Sequence, residues 1–105
     1  MSRNRNKIVE CADGFRMSVQ AHDGAYCCPR TDGAERYIEG EVGFPTEAES
    51  LLMEFAEDPK TPTETVYPYV PSEMVYLVIA KHGGMVGGEL PKGIPCPKEW
   101  NNEAV

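Results

Sequence analysis

The stretch FRMSVQA, residues 15–21, alternates apolar and polar side chains over seven consecutive positions. This period of two is typical of a β-strand with one buried face, because successive side chains of a strand point to opposite sides of the sheet. The pattern predicts that Phe15, Met17, Val19 and Ala21 face the core. The rest of the sheet follows from the segments on either side.

Turn signals around this strand predict an antiparallel meander. Asp23-Gly24 is typical of a tight hairpin, so residues 25–28 are expected to return as a strand that Pro29 ends. A further strand at residues 7–11 would join through a turn at Asp13-Gly14. Residues 36–44 alternate again, which predicts Ile38, Val42 and Phe44 inward and Tyr37, Glu39 and Glu41 outward.

Two later segments predict helices. Thr46 followed three residues later by Glu49 has the form of a capping box, and the apolar residues after it recur at helical spacing, so a helix is expected over residues 46–57. A second helix is expected over residues 72–82, with Gly83 closing it. Between them, residues 66–71 contain two prolines and predict an edge strand or a surface strap.

These segments together predict a single α+β domain over residues 1–105. Its expected architecture is a three- or four-stranded antiparallel sheet packed by two helices. Residues 1–7 would form a basic, flexible arm, residues 83–88 a flexible loop, and residues 85–105 a tail rich in glycine and proline.

The charge is uneven along the chain. The net charge is −7, although Arg3, Arg5 and Lys7 make the first seven residues basic. An acidic body disfavours direct binding of nucleic acid, because that binding depends on lysine and arginine neutralising phosphates. No apolar run is long enough for a membrane span and no signal peptide is visible, so we expect a cytoplasmic protein that does not bind membranes.

The cysteine pair Cys27-Cys28 raises the question of a metal or a reactive thiol. Zinc sites usually use cysteines two to four residues apart, whereas adjacent strand residues point to opposite faces, so burial as small apolar side chains is the favoured interpretation. A zinc- or thiol-dependent protein centred on this pair is the alternative. Its candidate ligands are Cys11, Cys27, Cys28, His22 and Cys96.

Other chemistry has little support in the sequence. The glycines at 83–88 are followed by Glu89 and Leu90, where a phosphate-binding loop needs lysine and serine or threonine. Both histidines have ordinary structural explanations, since His22 lies in a predicted turn and His82 in a last helical turn. We therefore expect no enzymatic activity, no catalytic residues and no cofactor.

The surfaces that remain predict a protein-binding module. Tyrosines in a proline-stiffened segment are typical of interfaces, the acids favour a basic partner, and the all-apolar second helix predicts an exposed patch that could form a homodimer. The candidate partner-binding residues are Glu39, Glu41, Glu54, Glu57, Tyr67, Tyr69, Tyr76 and Leu77. A nucleic-acid mimic, in which the carboxylates occupy the basic groove of a DNA-binding enzyme, is a further alternative.

Seven short segments between residues 8 and 84 form a recognisable overall pattern. They are Met17-Ser18-Val19-Gln20-Ala21, Ala25-Tyr26-Cys27, Pro29-Arg30, Glu41-Val42-Gly43-Phe44-Pro45, Thr65-Val66-Tyr67, Tyr69-Val70-Pro71 and His82-Gly83-Gly84. The pattern resembles small uncharacterised proteins encoded by bacteriophages and prophages, and it contains no catalytic motif. The resemblance implies an accessory protein that binds or inhibits a host protein in the bacterial cytoplasm.

Overall fold

The structure, a computed structural model, describes residues 6–94. Its elements are β1 (Val9–Cys11), β2 (Arg16–Gln20), β3 (Glu39–Gly43), a 3-10 helix (Met53–Phe55), β4 (Val66–Pro71), α1 (Ser72–Lys81) and β5 (Met85–Gly87). The strands form one sheet in the order β4-β3-β2-β1-β5, and every neighbouring pair is antiparallel. The expectation of an α+β domain is confirmed at this level. The described residues contain five strands and one α-helix, however, and not the three or four strands and two helices expected.

The central strand is placed as its alternation predicts. Met17 and Val19 on β2 are fully buried, and Val9 of β1 pairs directly with Met17. The Asp13-Gly14 turn joins these strands, and the Cys11 N–H donates to the Phe15 carbonyl. Of the polar residues of β2, Arg16 is exposed, Ser18 is partly buried, and Gln20 is buried with hydrogen bonds to Asn6 and Ser18.

The core lies on one face of the sheet, between the strands, α1 and the segment that follows β3. Residues 72–82 were predicted as a helix, and α1 confirms this to within one residue. Its Val75, Val78 and Ile79 are fully buried, together with Leu52 from the preceding segment. No helix among residues 6–94 is long and apolar enough to cross a membrane.

The predicted helix over residues 46–57 is wrong. The Thr46 hydroxyl accepts the Arg16 N–H and does not cap a helix, while the Glu49 side chain turns into the protein, where only 2% of the residue is exposed. A capping box needs both side chains at the helix start, so these long-range contacts remove it. Only a single 3-10 turn at Met53–Phe55 remains.

Residues 25–28 form no strand, which corrects a second expectation. A lone bridge from Cys28 to Glu39 is their only ladder contact among the described residues. Ala25, Cys27 and Tyr37 form a small second core instead, and the Tyr37 hydroxyl donates to the Thr31 carbonyl. Tyr37 is therefore buried, contrary to prediction.

The ends of the predicted 36–44 strand are also corrected. Ile38 is 51% exposed and Phe44 is 55% exposed, although both were predicted inward. The regular strand covers only Glu39–Gly43, so the alternation does not extend to either residue. Val42, in the middle of the strand, is buried as predicted.

Part of the predicted flexible loop over residues 83–88 is a strand. Within them β5 pairs with β1, which extends the sheet to its fifth strand. Gly88 lies directly against the Ile8 backbone at φ +99°, and a Cβ atom there would be 2.2 Å from the Ile8 carbonyl oxygen. Glycine at this position serves close strand packing. The expected edge strand at residues 66–71 is confirmed as β4.

Candidate functional site

Tyr69 has a backbone conformation that is unusual for its residue type. Its φ of +55° lies in the left-handed region, and the only other non-glycine residue there within 6–94 is Phe44, at +52°. Both are aromatic and exposed, Tyr69 at 43%. The pairing between β3 and β4 shifts at this point, so Pro68 and Tyr69 together lie opposite Glu41 as a bulge. The bulge turns the Tyr69 ring outward.

The Tyr69 ring lies beside Tyr26 and Arg30. The Tyr69 N–H donates to the Tyr26 carbonyl at 3.0 Å, and the two ring centroids are 5.9 Å apart. The Arg30 guanidinium lies 5.0 Å from the Tyr26 ring centroid, and the Tyr26 N–H donates to the Glu41 carboxylate. We call Tyr26, Arg30, Glu41 and Tyr69 the tyrosine surface. These two hydrogen bonds hold the main chain of Tyr26 and Tyr69, so little ordering of the backbone is required on binding.

The predicted partner-binding residues do not lie on one surface. Glu39, Glu41 and Tyr69 lie together, because Glu39 and Glu41 project from β3 away from the buried Gly40 and Val42. The remaining predicted residues are distributed elsewhere. Glu54 lies on the 3-10 helix that packs on the core face, and the Glu57 N–H donates to the Val66 carbonyl. Tyr76 and Leu77 are exposed on α1. Tyr67 is fully buried.

This distribution affects the prediction that Tyr67 binds a partner and the alternative of a nucleic-acid mimic. Tyr67 donates its hydroxyl to the Pro62 carbonyl inside the core, so a partner cannot reach it in this structure. Glu54 lies on the other side of the sheet from Glu39 and Glu41. The nucleic-acid-mimic alternative, which needs carboxylates along one surface, gains no support from this arrangement.

A second group of functional side chains surrounds His82, which ends α1. Its Nδ1 lies 2.6 Å from an Asp13 carboxylate oxygen and its Nε2 lies 2.6 Å from a Glu49 carboxylate oxygen. Lys81 donates to the second Glu49 oxygen at 2.7 Å, and the Phe15 ring stacks on the imidazole at 4.0 Å. We call Asp13, Glu49, Lys81 and His82 the charged centre. Glu49 and His82 are buried.

Three ionisable groups of the charged centre, Asp13, Glu49 and His82, have pKa values shifted toward their charged forms. Burial alone would lower the pKa of His82, but hydrogen bonds with Glu49 and Asp13 outweigh it and raise that pKa. Burial alone would raise the pKa of Glu49, but hydrogen bonds from Lys81, Leu51 and His82 lower it. The hydrogen bonds from the Phe15 backbone and His82 lower the pKa of Asp13. These shifts favour an imidazolium between two carboxylates.

The charged centre pairs a histidine with carboxylates, as a catalytic triad does, but its four residues include no hydroxyl or thiol nucleophile. Both imidazole nitrogens are occupied by carboxylates, so His82 has no free nitrogen to exchange a proton with a substrate. A small pocket of about 220 Å³ lies beside Asp13, and Gly14, Phe15, Thr46 and Glu47 complete its lining. Within residues 6–94, no buried side-chain nitrogen or oxygen lacks a hydrogen-bond partner. The geometry supports a structural role for His82.

Sequence reasoning missed this centre. Asp13, Glu49 and His82 lie 33 to 69 residues apart, and no spacing rule links such positions. Glu49 was interpreted as a capping residue and His82 as a helix-dipole residue. The sequence shows that ionisable residues lie next to apolar stretches, but this does not indicate which of them hydrogen-bond to one another.

Two of the three described cysteines, Cys11 and Cys27, are buried. Burial raises the pKa of Cys11 to about 11, with Asp13 and Glu10 adding to it, and burial raises the pKa of Cys27. A thiol needs the opposite shift to react at neutral pH. Cys28 is partly buried, and Cys96 lies outside the described residues.

One possible metal-ligand group occurs among residues 6–94, and it contains no cysteine. His22, Asp23 and Asp32 bring ligand atoms within 4.8 Å of one another. His22 Nδ1 accepts the Gly24 N–H at 3.0 Å, so a neutral ring carries its proton on Nε2. Metal-bound histidines normally donate from the other ring nitrogen. The hydrogen bonding of His22 therefore does not fit a resident metal.

Comparison with known proteins gives no match, since no family model, no curated protein and no solved structure is significantly similar to this chain.

Proposed function

We propose that this chain is a non-enzymatic protein-binding module that uses the tyrosine surface as its contact. The observation that carries the proposal is Tyr69, an exposed aromatic residue in a strained, left-handed conformation that is fixed by its hydrogen bond to Tyr26. Backbone strain of this kind is concentrated at functional sites, because selection for stability alone would replace the residue with glycine.

The composition of the tyrosine surface supports this function. Tyrosine and arginine are among the residue types enriched in binding hot spots, and here Arg30, Tyr26 and Tyr69 lie side by side. The partner is a protein with a basic contact region, because Glu39 and Glu41 flank the rings and the chain carries a net charge of −7. The resemblance to phage proteins favours a host protein as that partner.

Partner capture with matched variants tests the proposal. The full chain is immobilised, exposed to bacterial lysate, and the captured proteins are quantified by mass spectrometry. Y26A and Y69A should each reduce capture of a specific protein at least about tenfold, the effect of losing one hot-spot side chain. The controls Y76A and L77A remove exposed apolar side chains from α1 and should leave capture unchanged.

A charge-matched pair tests the basic-partner part. The double variants E39Q/E41Q and E54Q/E57Q remove the same net charge from different places. Only E39Q/E41Q should weaken capture and reduce its dependence on salt. If the two double variants weaken capture equally, net charge and not the tyrosine surface attracts the partner. If Y76A or L77A reduces capture as strongly as Y69A, the binding surface lies on α1 and the proposal is wrong.

A further inference from the structure

The contacts of His82 require two protons on one imidazole. Both ring nitrogens lie 2.6 Å from carboxylate oxygens, which can only accept hydrogen bonds when ionised. A neutral ring keeps a single proton. One of the two contacts would then bring two lone pairs together at 2.6 Å, so that contact must open.

The two carboxylates differ in how costly it is for them to lose the hydrogen bond from His82. The Glu49 side chain is only 2% exposed and cannot be rehydrated, whereas half of the Asp13 side chain is in contact with solvent. Asp13 also retains the hydrogen bond from the Phe15 N–H. Leaving a buried acceptor without a donor is the more costly outcome. The neutral ring therefore keeps its proton on Nε2, facing Glu49, and loses the one on Nδ1.

We propose that His82 is a proton-operated latch, which holds the β1–β2 turn through Asp13 when the ring is charged and releases that turn when Nδ1 loses its proton. The turn packs directly on the end of α1, where the Asp13 N–H donates to the His82 carbonyl and the Ala12 N–H to the Gly84 carbonyl. Asp13 and Phe15, on either side of Gly14, form one side of the pocket. Movement of this turn changes the width of the pocket.

The charges around His82 determine the direction of the change. Asp13 faces the ring from the turn and Glu49 from the segment after β3, while Lys81 on the same helix neutralises Glu49 from its far side. Phe15 covers the ring face, and Cys11 on β1 is a neutral thiol. Loss of the imidazolium removes the positive charge that Asp13 faces, and Asp13 and Glu47, which both line the pocket, are like charges that repel. The pocket therefore opens as the ring becomes neutral.

The pH of the transition lies above the ordinary histidine value. Contacts with Glu49 and Asp13 outweigh burial and raise the pKa of His82 above 6.5. The latch is therefore closed at mildly acidic pH and opens as the pH rises through that raised pKa.

Nuclear magnetic resonance of the ¹⁵N-labelled full chain between pH 5 and pH 10 tests the latch. At low pH both His82 ring nitrogens should show shifts of protonated nitrogen. At high pH Nδ1 should move to the unprotonated range while Nε2 stays protonated. Across the same transition, exchange of the Asp13 amide should rise about tenfold beyond the increase expected from base catalysis alone, the equivalent of one pKa unit of lost contact.

The variants D13N and E47Q each remove one carboxylate from the pocket, but only Asp13 contacts the imidazole. D13N should lower the midpoint of the His82 titration by about one unit or more, and E47Q should move it by less than about 0.3. The latch is disproved if Nε2 is the nitrogen that loses its proton, if His82 stays charged to pH 10, or if Asp13 amide exchange shows no transition. Equal midpoint shifts in D13N and E47Q also disprove it.

Discussion

Tyr69 and Glu49 each depart from what their local sequence favours. Tyrosine rarely occupies the left-handed region, and Glu49 sits in a helix-capping pattern yet its carboxylate is buried against His82 and Lys81. In both cases contacts with residues distant in sequence determine the conformation. Residues of this kind are identified from a structure and not from local pattern, because their partners are not near them in the chain.

The strain at Tyr69 predicts an unusual order of stabilities. Y69G should be more stable than Y69A by about 1 kcal/mol, because alanine retains the left-handed penalty that glycine avoids. At the exposed helical position Tyr76 the order should reverse, with Y76A more stable than Y76G by about 1 kcal/mol. Urea unfolding of the four variants measures both differences. Greater stability of Y69A over Y69G would mean that the backbone at Tyr69 is not strained.

The burial of Glu49 predicts a large cost for neutralising it. E49Q should lower the free energy of unfolding by about 3 kcal/mol, because it leaves the buried His82 imidazolium with a weaker partner and disturbs the Lys81 pair. E54Q, at an exposed position nearby, should change it by less than about 0.5 kcal/mol. Chemical denaturation compares the two. Similar small effects would show that the charged centre contributes little to stability.

At the level of elements, the segment between β3 and β4 shows how tertiary contacts override helix signals. Its apolar spacing predicts a helix, but Thr46 bonds to the Arg16 backbone and Glu49 to the end of α1, so both capping groups are used elsewhere. Leu52 still reaches the core without a helix. Of the apolar residues at helical spacing, Leu52 is buried, Leu51, Phe55 and Ala56 are partly buried and Ala48 is exposed. The apolar pattern therefore predicted only part of the burial and not the backbone conformation.

This segment should contribute strongly to stability despite its irregular backbone. L52A should cost about 2–5 kcal/mol because Leu52 is fully buried, whereas L77A on the exposed side of α1 should cost less than about 0.5 kcal/mol. Thermal and urea unfolding of the two variants give the comparison. A small effect of L52A would indicate that residues 44–65 do not pack firmly on the sheet.

On the scale of the whole molecule, the charged centre predicts a stability maximum at mildly acidic pH. The raised pKa of His82 means that its contribution is complete below the ordinary value of 6.5 and is lost as the pH rises through the folded value. The lowered pKa of Glu49 means that its contribution is complete above 4.5 and is lost as the pH falls through its folded value. The pKa of Asp13 is also lowered, so its contribution to stability is likewise lost as the pH falls.

Urea unfolding between pH 3 and pH 9 checks this profile. The free energy of unfolding should be greatest between 4.5 and 6.5 and should decline on both sides. In H82Q the decline on the alkaline side should disappear, even though the variant is less stable throughout. A wild-type profile that keeps rising above pH 7 would contradict the assignment of a raised pKa to His82.

The sequence predicted the class of fold and much of the sheet. Strict alternation located β2 and its buried Met17 and Val19, end signals located α1, and prolines marked β4 as an edge. Prediction from the sequence failed where a segment is short or where residues distant in the chain hold it in place. β5 has only three residues among glycines, and its pairing with β1 has no local signature. The charged centre was not predicted for the same reason, since its residues come from three separate parts of the chain.

The construction of β4 restricts how molecules of this protein can associate. Pro68 and Pro71 have no N–H to offer a neighbouring strand, the Val66 carbonyl is already bonded to Glu57, and the Tyr69 N–H to Tyr26. A second chain therefore finds few free backbone groups with which to extend the sheet at this edge. Growth of ordered aggregates from β4 is therefore disfavoured. The bulge at Pro68 and Tyr69 interrupts this edge, and it also turns the Tyr69 ring to the solvent while the Tyr67 ring stays in the core.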